Sequence, residues 1–170
     1  MAAGNTYTPI ATTTLGSAAS SYTFSSIPGT YTDLVLVVSG KYSTGTTGTT
    51  TVQIQVGNTS LDTGANYSIV YLNGSGSAAT SGVVGGTTSS GIGELENNSG
   101  NPGTVIAQYC NYANTTTYKT MLARANTSGS WVQVMVNLWR STAAINTIKV
   151  FSTATFGIGT TFTLYGILAA

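Results

Sequence analysis

No histidine occurs in this chain, and its 170 residues include only five lysines and arginines and four carboxylates. General acid–base catalysis near neutral pH draws mostly on histidine or on paired carboxylates, so few catalytic arrangements remain. A net charge of +1 cannot build the basic stripe that phosphate neutralisation demands, which sets nucleic acid aside as a partner. The lone cysteine, Cys110, has no partner for an internal disulfide and sits in an apolar alternation that reads as core. No apolar run approaches the roughly 18 to 20 residues that span a bilayer, so no membrane insertion is expected. Met1 to Asn5 carries no positive cluster, and the chain is expected to be made in the cytoplasm without a secretory signal.

Thr, Ser, Gly and Asn fill the space that charge leaves, together with ten tyrosines. A surface of uncharged polar groups is poorly protected against self-association, and tyrosine suits interfaces, so a homo-oligomer is expected. The length fits a single domain over residues 1–170. Leu34 to Val38, entered through the Pro28-Gly29 turn, is the most apolar run. It is apolar on both alternating faces and predicts a central strand covered above and below.

Strict alternation marks further strands. Tyr7 to Leu15, Ser20 to Phe24 and Thr51 to Val56 are the first, followed by Asn66 to Leu72, Thr104 to Tyr112 and Tyr118 to Ala125. Ser130 to Trp139, Ile145 to Phe151 and Thr161 to Leu168 complete the set. In Ser130 to Trp139 the face carrying Val132, Val134, Val136 and Leu138 reads as core. Asn73 to Gly91, mostly Gly, Ser, Thr and Ala, reads as a long loop with a short strand at Val83-Val84, Ile92 to Leu95 as a brief pairing, and Lys41 to Thr50 as a polar exposed loop. The expectation is an all-β fold, an antiparallel β-sandwich of jelly-roll type with about ten strands.

Few residues offer chemistry. Glu94 and Glu96 share one face of an extended segment, an arrangement that could serve acid–base work on a sugar, but their Gly-rich setting reads as a solvated loop edge. Asp33, at the start of the central strand, needs a cation or several donors if buried, with Arg124, Lys119 or Arg140 as candidates. Leu61-Asp62-Thr63-Gly64 is similar to half of a calcium loop without the further acidic ligands. Trp131 and Trp139 could build an aromatic platform for a sugar, though filling a core or an interface is the preferred reading. Gly91-Ile92-Gly93 and Gly157-Ile158-Gly159 read as turns, because neither opens a helix that could receive a phosphate. No catalytic residue, metal ligand or cofactor is expected, and the chain reads as no enzyme.

Several blocks of sequence stand out together. They are Thr14 to Ala19, Phe24 to Leu36, Asp62 to Ser68, Asn111 to Asn114 with Tyr118 to Thr120, Trp139 to Asn146 and Leu164 to Ile167. In combination they resemble small structural proteins of tailed bacteriophages, over most of the chain. The resemblance implies a place in the virion, as a decoration or cement protein on the outside of the capsid. The implied partners are the major capsid protein or another virion protein, and further copies of the chain, with a trimer expected. It implies as the alternative a tail- or head-fibre-associated module that binds a host receptor or surface glycan.

Overall fold

The computed structural model describes residues 6–43, 48–97, 101–128 and 131–168. Within them lie thirteen strands and no helix. The first seven are β1 (Tyr7–Thr14), β2 (Ala19–Phe24), β3 (Asp33–Gly40), β4 (Thr49–Asn58), β5 (Ser60–Leu61), β6 (Tyr67–Gly74) and β7 (Ala79–Thr87). The remainder are β8 (Ser90–Glu96), β9 (Gly103–Tyr109), β10 (Lys119–Thr127), β11 (Val132–Trp139), β12 (Thr147–Phe156) and β13 (Thr161–Ile167). Every strand pair is antiparallel. The large sheet has the order β1-β13-β3-β9-β10-β11-β6-β7, and the small sheet runs β2-β12-β4, with β5 and β8 both pairing β4.

The sandwich expected from the alternation is therefore present. Its core is the inner rows of the two sheets: Val52, Ile54 and Val56 of β4 and Ile148 and Val150 of β12 meet Leu34, Leu36 and Val38 of β3 and Val105 and Ala107 of β9, all buried. Tyr22 stacks on Phe162 with ring centroids 5.5 Å apart, and Phe156 meets Phe162 edge to face. Such pairs fix geometry as well as burying area.

β3 lies between β13 and β9, inside the large sheet as expected. Only its inner side is covered by a second layer, however. On the other side Val35 is 6 % exposed because aromatic side chains shelter it: Tyr165 is its register partner on β13, and Tyr7 packs edge-on to Tyr165 at 6.1 Å.

Three expectations are corrected. The segment from Asn73 to Gly91 is largely strand, ending β6 and forming β7, which pairs with β6 from Tyr67↔Thr87 to Gly74↔Ala79. Its residues have low β propensity, but β6 supplies a continuous ladder of hydrogen-bonding partners, and that context decides. The segment holding Glu94 and Glu96 is no loop edge: β8 is buried along most of its length, against the inner face of the large sheet. Gly93 makes this approach possible, since a Cβ there would lie 2.2 Å from the Ala125 Cβ, and its φ of 141° also favours glycine. Tyr42, within the predicted polar loop, is fully buried against Phe156, while residues 44–47 of that loop lie outside the described residues.

Candidate docking surface

β11 alternates two unlike sets of side chains, and the register of its neighbours decides which set points inward. Its pairing with β10 places Gln133, Met135, Asn137 and Trp139 in line with the inward Ala125, Ala123, Met121 and Lys119, and all eight are buried. The expected core face is the solvent face: Val132, Val134 and Val136 are 62 %, 45 % and 51 % exposed. Of the two buried side-chain amides, Asn137 has no hydrogen-bond partner among the described residues, and Gln133 has a structural reason. β8 lies over β11 and pairs on one edge only, so its other edge needs acceptors from the interior; Gln133 Oε1 accepts the Glu94 N–H at 2.8 Å.

Exposed apolar groups continue across the neighbours of β11. One row runs Leu122, Val136, Val70, Val83 across β10, β11, β6 and β7, and the next runs Arg124, Val134, Leu72, Ser81. Leu122, Val70 and Leu72 are each more than half exposed, and Val83 more than any of them. Four strands about 4.8 Å apart and these two rows about 6.8 Å apart outline an area on the order of 250 Å², close to the size of the largest apolar patch on an ordinary monomer.

Two shallow hollows open on this face, of about 420 Å³ and 280 Å³. Ile106, Arg124 and Val134 line both. Arg124 is the only charged residue among the linings, and no acceptor bonds its guanidinium among the described residues. An apolar floor with one unneutralised cation suits a flat apolar partner carrying a carboxylate.

Apart from Arg124, the residues singled out in the sequence for chemistry gather elsewhere, mostly at one end of the sandwich, and most of them are committed to holding the fold. Asp62 closes an Asx turn by accepting the Gly64 N–H at 2.8 Å, and its other oxygen accepts Asn66 Nδ2 at 2.9 Å and the Trp139 indole N–H at 2.7 Å. Burial alone would raise the Asp62 pKa, but the donors Trp139, Asn66 and Gly64 outweigh it and hold the carboxyl below its ordinary value. Tyr67 stacks on Trp139 and donates its hydroxyl to the Asp62 carbonyl at 2.8 Å. Among the described residues no group of three or more metal-ligating side chains occurs.

Asp33 takes its donors from Gln108 Nε2 at 3.1 Å and the Asn111 N–H at 2.8 Å, in place of the expected cations. Of those cations, Arg140 donates to the Ser68 hydroxyl, and Lys119 is buried with its ammonium on the carbonyls of Thr117 at 2.8 Å and Thr142 at 3.2 Å. Burial lowers the Lys119 pKa. Cys110 is exposed just beyond β9, not in the core, and desolvation together with the Asp33 carboxylate pushes its thiol pKa up, against a thiolate nucleophile. Glu94 accepts the Thr49 hydroxyl.

Trp139 is buried while Trp131 lies just before the opposite end of β11, so the two build no joint platform. Comparison with protein-family models finds no match for this chain, and comparison with curated proteins and with solved structures finds none either.

Of the blocks singled out in the sequence, all but Thr14 to Ala19 reach this same end; that one lies at the other, where the Leu15 N–H bonds the Thr160 carbonyl at 2.9 Å. The Tyr112 hydroxyl donates to the Pro28 carbonyl, the Ile145 N–H bonds the Tyr112 carbonyl at 3.0 Å, and the Ile27 N–H bonds the Asn146 carbonyl at 2.9 Å. Gly166 leaves room for the Tyr31 ring, which a Cβ would meet at 2.2 Å. These blocks define how the chain folds at that end. The apolar face was missed in the sequence because its valines had been spent on the core; the signal for it was that Leu122, Val70 and Leu72 sit opposite strand faces that are apolar as well.

Proposed function

We propose that this chain is a non-enzymatic structural protein of a bacteriophage virion, which decorates or cements the outside of the capsid by seating the outer face of its large sheet on the shell. The observation that carries the reading is the continuous run of exposed Val and Leu side chains over β10, β11, β6 and β7. Burying apolar surface is favourable, and the largest apolar patch on a monomer is often a functional one. The resemblance of the sequence blocks supplies the setting. The partner is the major capsid protein, meeting the valines with apolar side chains and Arg124 with a carboxylate.

Co-sedimentation with purified capsids tests this. Replacing Val134 and Val136 together by Asp puts two desolvated charges in the middle of the contact and is expected to weaken binding more than tenfold. Both side chains are exposed, so the thermal midpoint should stay within a few degrees of the parent. Binding that survives the double substitution, or a chain that ignores capsids altogether, overturns the reading.

A further inference from the structure

The two edges of the large sheet are built differently. At β1 the edge is interrupted: Pro9 lacks an N–H, and the register with β13 shifts between Pro9 and Ala11. At β7 the register with β6 shifts only near the far end, where Gly86 is the extra residue between Gly85 and Thr87, and Ala79 to Gly85 is left regular and unguarded. Ala79–Thr87 contains no proline and no charge, and Val83 and Val84 are exposed on its opposite faces, at 75 % and 41 %. An unguarded strand of this length is a template for another strand.

The hairpin fixes which backbone groups are available. The Ser75 N–H bonds the Ala78 carbonyl at 2.9 Å, which makes that pair a hydrogen-bonded one. Alternation along β6 and β7 then makes Asn73/Thr80, Tyr71/Gly82 and Ile69/Val84 hydrogen-bonded pairs. The N–H and C=O groups of Ala79, Ser81, Val83 and Gly85 point away from β6, and no strand among the described residues receives them.

We infer that β7 pairs with β7 of a second copy, antiparallel across a two-fold axis at Gly82, joining the two large sheets into one. In this register Ala79 faces the partner's Gly85 and Ser81 faces the partner's Val83, and the reverse by symmetry. All outward groups of both strands are used, giving about eight intermolecular hydrogen bonds. No like charges meet. On the inner side Thr80 lies beside the partner's Val84, a β-branched pair, and glycine at the axis adds no side chain of its own beneath the Tyr71 ring that covers it. The outer apolar face of one copy continues through Val83 into that of the other. The pairing holds whatever that face docks on, and it gives a dimer as the unit in place of the trimer expected from the resemblance.

Sedimentation velocity on the full chain, with backbone hydrogen exchange at two concentrations, tests the pairing. The expected result is a concentration-dependent species of twice 17.3 kDa, with exchange at Ser81, Val83 and Gly85 slowing as it forms. Val83→Pro removes an outward N–H and spares the bonds to β6, so it should leave a monomer with the parent circular dichroism. Gly82→Pro removes the N–H that β6 uses, and should instead lower the thermal midpoint. Should Val83→Pro disturb the fold, Val83→Lys keeps every backbone group and is expected to raise the dimer Kd at least about tenfold by placing a charge on the edge. A monomer at all concentrations, a species of three copies, or a dimer indifferent to both Val83 variants overturns the inference.

Discussion

Asp62 shows most clearly what a single residue does here. One carboxylate ties its own turn to Trp139, a residue 77 positions away, and through Trp139 to the stacked Tyr67. Asp62→Ala leaves the buried indole N–H without an acceptor and opens the Asx turn. A hydrogen bond to a charged group contributes about 1.5 to 3 kcal/mol, so the substitution should cost about 2 to 3 kcal/mol in urea denaturation. The pH dependence has a definite sign. The folded-state pKa lies below the unfolded value, so the contribution is complete above the unfolded carboxyl range and is lost as pH falls through the folded pKa. Stability of the parent should therefore decline from about pH 5 downward, and Asp62→Ala should show a shallower decline over the same range. A variant with the same acid limb as the parent would contradict this. The local sequence shows Asp62 as a turn with unused oxygens, which suggests half of a metal loop; of the two donors on its second oxygen, Asn66 is local, but Trp139 belongs to a strand that no local pattern connects to it.

At the scale of the element, β11 separates what periodicity can read from what it cannot. Alternation placed the strand correctly, but both of its faces hold large apolar side chains, so the parity depended on neighbours. Trp139, aligned with Lys119 and Tyr67 in the inner row, and Gln133, bonded to β8, turn the Gln/Met/Asn/Trp face inward. The consequence is measurable: Met135→Ala should cost about 2 to 4 kcal/mol as a core truncation, whereas Val136→Thr on the other face should change stability by less than about 0.5 kcal/mol. The opposite ranking would restore the parity expected from the valines. β7 and β8 are legible only in part, at Val83-Val84 and at Ile92 to Leu95, for a related reason. Their many Gly and Ser residues carry little β preference of their own, and they become full strands because β6 and β4 offer ladders and because Gly93 permits close approach to Ala125.

The molecule as a whole divides into a locked end and an open face. At the locked end Asp62, Asp33, Lys119 and Tyr112 spend their polar groups on other parts of the chain, so its few charges are largely committed to the fold. The open face holds apolar side chains and Arg124. The proposed docking through it would therefore be driven by burial of apolar surface, with one charge contact to set register. Attraction between many exposed charges collapses as salt shortens the Debye length to about 3 Å at 1 M, but apolar association does not. Sulfate strengthens it by exclusion from the protein surface. Capsid binding should accordingly change less than about threefold between 0.05 and 0.5 M sodium chloride and strengthen in ammonium sulfate. Arg124→Met should remove the small chloride sensitivity that remains while leaving the sulfate response intact, because the valines beside it are untouched. A tenfold loss of binding over that chloride range would mean that charge, and not the valine face, holds the protein to its partner.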